Sequence, residues 1–270
     1  MRILFFGDIV GRSGRSGIIA ALRDLRPQLK PDAIVVNGEN AAGGFGITEE
    51  ICRELFTAGV DVISTGNHAF DQRDSLSVYD SERRLLRPAN YPAGVPGKGA
   101  GLYELKNGAR LVVVNVMGRV FMEALDDPFA AVDRELEACP LGRGCDVFVV
   151  DMHAEATSEK MAMGHFCDGR ASLVIGTHSH VPTADAQVLP QGTAYQTDAG
   201  ACADYDSVIG MEKTEPLLRF TRKLGQGRMN PAQGPATVCG VLVETNDATG
   251  LAVRIEPVRV GGRLKQTIPE

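Results

Sequence analysis

The sequence predicts an α/β protein built from two packed sheets, and three observations carry that prediction. Short apolar runs alternate with longer amphipathic ones through the first two thirds of the chain, the pattern of a sheet flanked by helices. Asn107-Gly108 separates two strand-like runs and accepts the positive φ angles of a tight hairpin turn, so the sheet is mixed. The last third carries two further hairpin patterns, around Pro190-Gln191-Gly192 and around residues 247–250, and this β-rich end points to two packed sheets.

Taken in order, strands are expected at residues 2–7, 33–37, 61–65, 110–116, 146–151 and 173–176. Helices are expected between them at 14–29, 48–58, 72–86, 128–139 and 157–167, from apolar spacing and capping residues. The hairpins pair 102–106 with 110–116, 186–189 with 193–196, and 238–245 with 251–260. Residues 87–101 and 225–235 are rich in Pro and Gly and read as loops or small lid segments within one domain spanning 1–270.

Composition narrows the function. A hydrophobic content of 44% is ordinary for a packed core, and the apolar run at residues 3–6 is too short for a signal peptide or a membrane span. The six cysteines include no C-x-x-C pair, which argues against a zinc ribbon or a thioredoxin-type motif and, without an export signal, for a reduced cytoplasmic setting. A net charge of −6 argues against a broad face for duplex nucleic acid, leaving a nucleotide, another small phosphodiester or an RNA end as partner. No membrane partner is expected, and a homo-oligomer stays open.

The chemistry concentrates after the expected strands. Asp8 follows the first, Glu39-Asn40 the second, Asn67-His68 the third, His153 the strand at 146–151, and His178 with His180 the strand at 173–176. Carboxyl ends of strands in an α/β sheet gather in one crevice, so these groups should meet. His178 and His180, two apart in a stretch expected to be extended, would place both rings on one side and serve two ions. Two metals clamp attacking and leaving oxygens at phosphorus, and Glu39 is the expected bridge between them.

Each residue alone has a simpler reading. Asp8 could cap a helix, Glu39 and Asn40 could be turn residues, and Asn67 could be another cap. The run from Gly7 to Gly14 could pass for a dinucleotide loop, but the G-x-G-x-x-G spacing is absent. His165, inside an expected helix, is set aside as structural, whereas three of five histidines after strands favour metal ligation. Arg12 and Arg15, near the first helix start, are candidates for a substrate phosphate. Arg219, Arg222, Lys223 and Arg228 read as a solvated face.

The stretches Gly7-Asp8-Ile9-Val10-Gly11, Asn37-Gly38-Glu39-Asn40-Ala41-Ala42-Gly43-Gly44, Thr65-Gly66-Asn67-His68, Asp151-Met152-His153-Ala154-Glu155 and Gly176-Thr177-His178-Ser179-His180 resemble the calcineurin-like metallophosphoesterases, within them the bacterial YmdB-type subgroup. Val10 stands where most of the superfamily places a histidine ligand, and Glu39-Asn40 replaces Gly-Asp-x-x-Asp; the subgroup shares both departures. The resemblance implies a four-layer α/β/β/α sandwich with two mixed sheets. It implies one metal on Asp8, Glu39, Asn40 and His180, with the Asn40 carbonyl oxygen in place of the missing histidine, and another on Glu39, Asn67, His153 and His178. Iron or manganese, sometimes zinc, would fill these places, and the substrates would be phosphodiesters such as 2′,3′-cyclic nucleotides.

The expected reaction is in-line attack on phosphorus by a hydroxide bridging the metals, with His68 protonating the leaving ribose oxygen and Asp71 orienting the His68 ring. Asn40 and Arg12 are the expected substrate contacts. The rival classes are a phosphomonoesterase or nucleotidase, and a metal- and nucleotide-binding regulatory protein with slow turnover.

Overall fold

Strand β1 (Arg2–Phe6) shows how the layers arise, because its side chains alternate between two separate cores. Leu4 and Phe6 face one, Ile3 and Phe5 the other, and all four are fully buried. A strand buried on both faces has packing partners above and below it. The computed structural model, which describes residues 1–225 and 227–270, supplies both.

In the first sheet β1 runs parallel to β2 (Ala33–Asn37), and β2 to β3 (Val62–Ser64). On the other side of β1 lies β11 (Ala236–Thr245), antiparallel to β1, to the short β10 (Ala203–Asp204) and to β12 (Ala252–Gly261). The second sheet runs β4 (Ala100–Glu104), β5 (Arg110–Met117), β6 (Val147–His153), β7 (Leu173–Thr177), β9 (Ala194–Gln196) and β8 (Gln187–Val188). Its middle is parallel and its two edge pairs antiparallel.

Three cores separate four layers. Helices α1 (Gly11–Leu29), α2 (Glu49–Thr57) and α3 (Leu76–Ser81) bury Leu22, Leu55 and Val78 against the outer face of the first sheet. Between the sheets, Phe5 and Val35 pack with Val113, Val149 and Ile175. On the far side, α4 (Pro128–Ala138) and α5 (Thr157–Phe166) bury Val132 and Met163 against Phe148 and Val150. This is the four-layer α/β/β/α sandwich expected from the motifs.

Local chemistry sets the element ends. The Thr48 side chain accepts from the Ile51 N–H and caps α2, while Asp127 caps α4 with Pro128 in the first turn. In the β4–β5 turn Gly108 takes φ +82° but Asn107 is not left-handed; the loop spans three residues, closed by the Leu105 N–H donating to the Ala109 carbonyl, and only its glycine needs the positive angle.

Two expectations need correction. The helix expected over 72–86 is a 3₁₀ turn at Arg73–Ser75 followed by α3, which stops at Ser81. Beyond it the chain is extended, with Leu85 bridged to Ile63 and Leu86 to Lys98, so these leucines reach the core from a sheet edge. A sixth helix, α6 (Thr214–Arg222), was not expected. Its interior is mostly exposed, and Pro216 obscures the helical pattern in its first turn. No helix among the described residues is long and apolar enough to cross a membrane.

Phe5 has no exposed surface between the two sheets. Phe5→Ala should lower the unfolding free energy by about 3–5 kcal/mol, measured by chemical denaturation.

Candidate metal centre

Parallel strands from both sheets end at one rim, and the polar residues that follow them meet there. Asp8 follows β1, Glu39 and Asn40 follow β2, and Asn67 and His68 follow β3; His153 ends β6, and His178 and His180 follow β7. Asp8 and His153 are fully buried, Glu39 and Asn40 nearly so.

Four donor atoms converge on one point. The His153 Nε2 lies 3.1 Å from Glu39 Oε1, 3.0 Å from Asn67 Oδ1 and 3.1 Å from His178 Nδ1. Donors about 2.0–2.2 Å from a shared cation lie about 3 Å from one another, so this spacing is that of a ligand shell. A second group lies beside it. His180 Nε2 is 3.2 Å from Asn40 Oδ1 and 3.8 Å from Asp8 Oδ1, and that Asp8 oxygen is buried without a hydrogen-bond partner. A buried carboxylate oxygen without a partner is costly unless a cation faces it, so these residues fit a metal as well.

The Asn40 oxygen turned to this group is that of its side chain. Its backbone carbonyl accepts from the Gly11 and Gly44 N–H groups, while its side-chain N–H donates to the Gly44 carbonyl and leaves Oδ1 turned to His180. Glu39 belongs to the first group through Oε1, which faces His153, while Oε2 accepts from the His68 backbone N–H; its charge is also felt by Asp8.

The far side of each imidazole is also held, which selects the nitrogen left to bind. His153 Nδ1 is 2.9 Å from Thr177 Oγ1, which in turn donates to Asp151 at 2.6 Å. His180 Nδ1 donates to the Ile209 carbonyl at 2.7 Å, and His178 Nε2 faces Glu155 at 3.3 Å. Asp151 also accepts from Ser64 and from Asn37 at 3.0 Å, so this buried carboxylate ties the end of β6 to β2 and β3 across the two sheets.

Electrostatics favour cations here. Burial alone would raise Glu39, but the neighbouring His153, by charge and hydrogen bond, holds its carboxyl down to about 2. His153, in spite of burial, is raised to about 9 by Glu39, Asp8 and Asp151. Burial raises Asp8 and lifts Asp151 to about 6. Burial and the charge of His153 lower His178 to about 3, leaving the neutral imidazole that ligates metals.

The stretch carrying His178 and His180 is not the extended one that its sequence predicts. His178 has φ 94° and His180 φ 64°, left-handed backbone that non-glycine residues seldom adopt. Ser179 between them donates from its N–H and hydroxyl to Asp198, whose carboxylate pairs with the fully buried Lys160 at 2.7 Å. Buried charge thus pins a strained turn, and the turn aims the two rings at different donor groups.

His68 lines the cavity in front of these donors, with Nδ1 2.8 Å from Asp71, the partner expected from the sequence, and its ring edge-on to Phe45 at 5.0 Å. Arg12 is exposed on α1 and does not line the cavity; Arg15 is turned to the Ala41 carbonyl and Glu54. The cavity is about 450 Å³, and Arg219 of α6 and Met229 line it; Met229 falls in the expected 225–235 lid segment, within which Gln226 lies outside the described residues. In the 87–101 segment, Tyr91 donates to the Gly66 carbonyl behind the donor groups. Gly66 itself leaves no room for a Cβ, which would strike the His153 ring and Glu39.

Reading along the chain did not single out Asp151, Thr177, Glu155, Lys160 or Asp198. Asp151 had a visible signal, a carboxylate directly after the apolar run Val147-Phe148-Val149-Val150 and before Met152 in the same strand. Lys160 and Asp198 gave none, because only the fold brings them together.

A two-sheet sandwich with carboxylates, amides and imidazoles on five strand ends defines a phosphoesterase of the metallophosphoesterase fold. The family model described as YmdB-like protein matches residues 4–258, and the chain belongs to that family. A Bacillus subtilis relative named 2′,3′-cyclic-nucleotide 2′-phosphodiesterase is 45% identical over 260 residues, covering 96% of this chain and 97% of its own. Among solved structures, a hypothetical protein from Thermus thermophilus superposes with a TM-score of 0.90 at 44% identity, over 97% of this chain and 100% of its own. A structure described as a novel phosphatase, from Mycoplasma pneumoniae, gives a TM-score of 0.88 at 31% identity, over 97% and 93%.

Lys160→Met should lower the unfolding free energy by about 3–5 kcal/mol, because Asp198 is left buried without its countercharge. Arg53→Met, which removes an exposed pair with Glu49, should change it by no more than about 0.5 kcal/mol in the same denaturation assay.

Proposed function

We propose that this chain is a dinuclear metal-dependent phosphodiesterase that opens 2′,3′-cyclic nucleotides, whether free or at an RNA end. One observation carries the reading: two donor groups lie side by side, one of Glu39, Asn67, His153 and His178, the other of Asp8, Asn40 and His180, with Asp8 Oδ1 3.8 Å from both His153 and His180; Glu39 is the carboxylate assigned here to bridge them. The name of the Bacillus subtilis relative supports the substrate class. When bound, the two ions supply an activated water and neutralise charge that develops on the phosphate.

The donors are oxygen and imidazole without thiolate, which suits iron or manganese and also admits zinc. The described cysteines are all free, five of the six buried or largely so, which fits a reduced cytoplasmic setting.

The chain's own part in the chemistry falls to His68. Asp71 accepts from its Nδ1, leaving Nε2 to carry a proton towards the cavity. As the P–O bond to the ribose oxygen breaks, that oxygen takes the proton from His68. Asn40 and the rings of His178 and His180 border the same space as His68, whereas Arg12 does not line it and has no part in this reading.

A phosphomonoesterase is the second reading, favoured by the description of the Mycoplasma pneumoniae structure as a phosphatase. Steady-state turnover on a panel of cyclic nucleotides and nucleoside monophosphates separates the two. The diesterase reading expects the cyclic substrates to be preferred by at least about 10-fold in kcat/KM, and the opposite preference overturns it.

His68→Ala should reduce kcat on cyclic nucleotides by about 10²–10⁴-fold while metal content, measured by elemental analysis, stays at the wild-type level. Glu39→Ala should lose metal in the same analysis. Full turnover in His68→Ala removes the acid assignment.

A further inference from the structure

The cavity is lined from two sources. Glu39, Asn40, His68, His178 and His180 come from the strand ends; opposite in character is an apolar set from residues 208–229, including Ile209, Met211, Phe220 and Met229, with Phe45 beside His68. Phe220 keeps 82% of its surface exposed while lining this cavity, as does Ile209 with 54%. Apolar surface displayed at the mouth of a polar site marks the place of an apolar part of the ligand.

Ile209 adds an independent observation. It is β-branched yet held at φ 48°, a conformation such residues rarely adopt. Its carbonyl receives the His180 N–H while its side chain lines the cavity, so the turn that orients a proposed metal-binding ring also presents the apolar wall. Strain kept at such a point is strain tied to function.

Building on the phosphodiesterase reading above, we propose that Phe220, Phe45, Ile209 and Met229 form a nucleobase subsite that grips the base by its face and not by its edge. Every base has a π-face, so aromatic contact tolerates sequence, whereas edge hydrogen bonds discriminate. Of the guanidinium groups here, Arg219 is engaged by Glu215 and by the Gly227 carbonyl, and Arg228 lies over the Phe45 ring, 6.0 Å from its centroid. The ligand class is therefore a nucleoside phosphate of any base, with the phosphate at the strand ends and the base against α6.

The test compares wild type with Phe220→Ala and Phe220→Tyr on the four nucleoside 2′,3′-cyclic phosphates and on methyl riboside 2′,3′-cyclic phosphate, which lacks a base. Wild type should treat the four nucleotides alike, within about 5-fold in kcat/KM. Phe220→Ala should raise KM for all four by about 10-fold with kcat nearly unchanged, leave the base-free compound unaffected, and be rescued by Phe220→Tyr. An equal effect on the base-free compound, an unchanged KM, or strong discrimination among bases by wild type overturns the subsite while leaving the phosphodiesterase reading intact. Should wild type hydrolyse none of these compounds, that reading falls, and titration of the metal-loaded protein with nucleoside 2′-monophosphates decides the subsite: about 10-fold weaker binding by Phe220→Ala supports it, equal binding refutes it.

Discussion

Two carboxylates, Asp8 and Glu39, are withdrawn from solvent where the two sheets meet, and the structure around them compensates for that placement. Isolated buried charge is too costly to persist, so the neighbourhood must supply positive charge or directed donors. His153 lies between them, 3.1 Å from Glu39 and 3.8 Å from Asp8, and the backbone N–H groups of His68 and His178 point at them. The field that raises the proton affinity of His153 is one a metal cation could use instead, displacing that proton.

Holding these groups in register requires the two sheets to end together. The apolar seam of Phe5, Val35, Val149 and Ile175 fixes the sheets face to face but does not specify an offset along the strands. The polar contacts of Asp151 do: from β6 it reaches Asn37 and Ser64 on the first sheet and Thr177 on β7. Asn115 adds a further link by accepting from the Thr65 N–H. A network of this kind specifies one alignment because any slip leaves several buried groups unsatisfied. Lys160 and Asp198 do the same for the turn that carries His178 and His180.

Much of this was legible along the chain, for identifiable reasons. The strands announced themselves as apolar runs of the right length, and the ligand candidates as polar residues directly after them, since strand ends are where an α/β sheet gathers its chemistry. What escaped notice depends on long-range contact or on local backbone choice. Nothing in Gly176-Thr177-His178-Ser179-His180 declares left-handed φ angles at both histidines; Asp198, 18 residues beyond His180, and Lys160 hold the turn. Leu85 and Leu86 sat at helical spacing but serve a sheet edge, and α6 escaped because its apolar side chains face a cavity and solvent, not a core.

In the function proposed above, residues from five strand ends hold two cations through a shared Glu39. Anomalous diffraction from crystals of the manganese-loaded protein tests it most directly. Two peaks per chain are expected about 3.5–4 Å apart, one against Glu39, Asn67, His153 and His178, the other against Asp8, Glu39, Asn40 and His180. A single peak, or peaks against other residues, would contradict it.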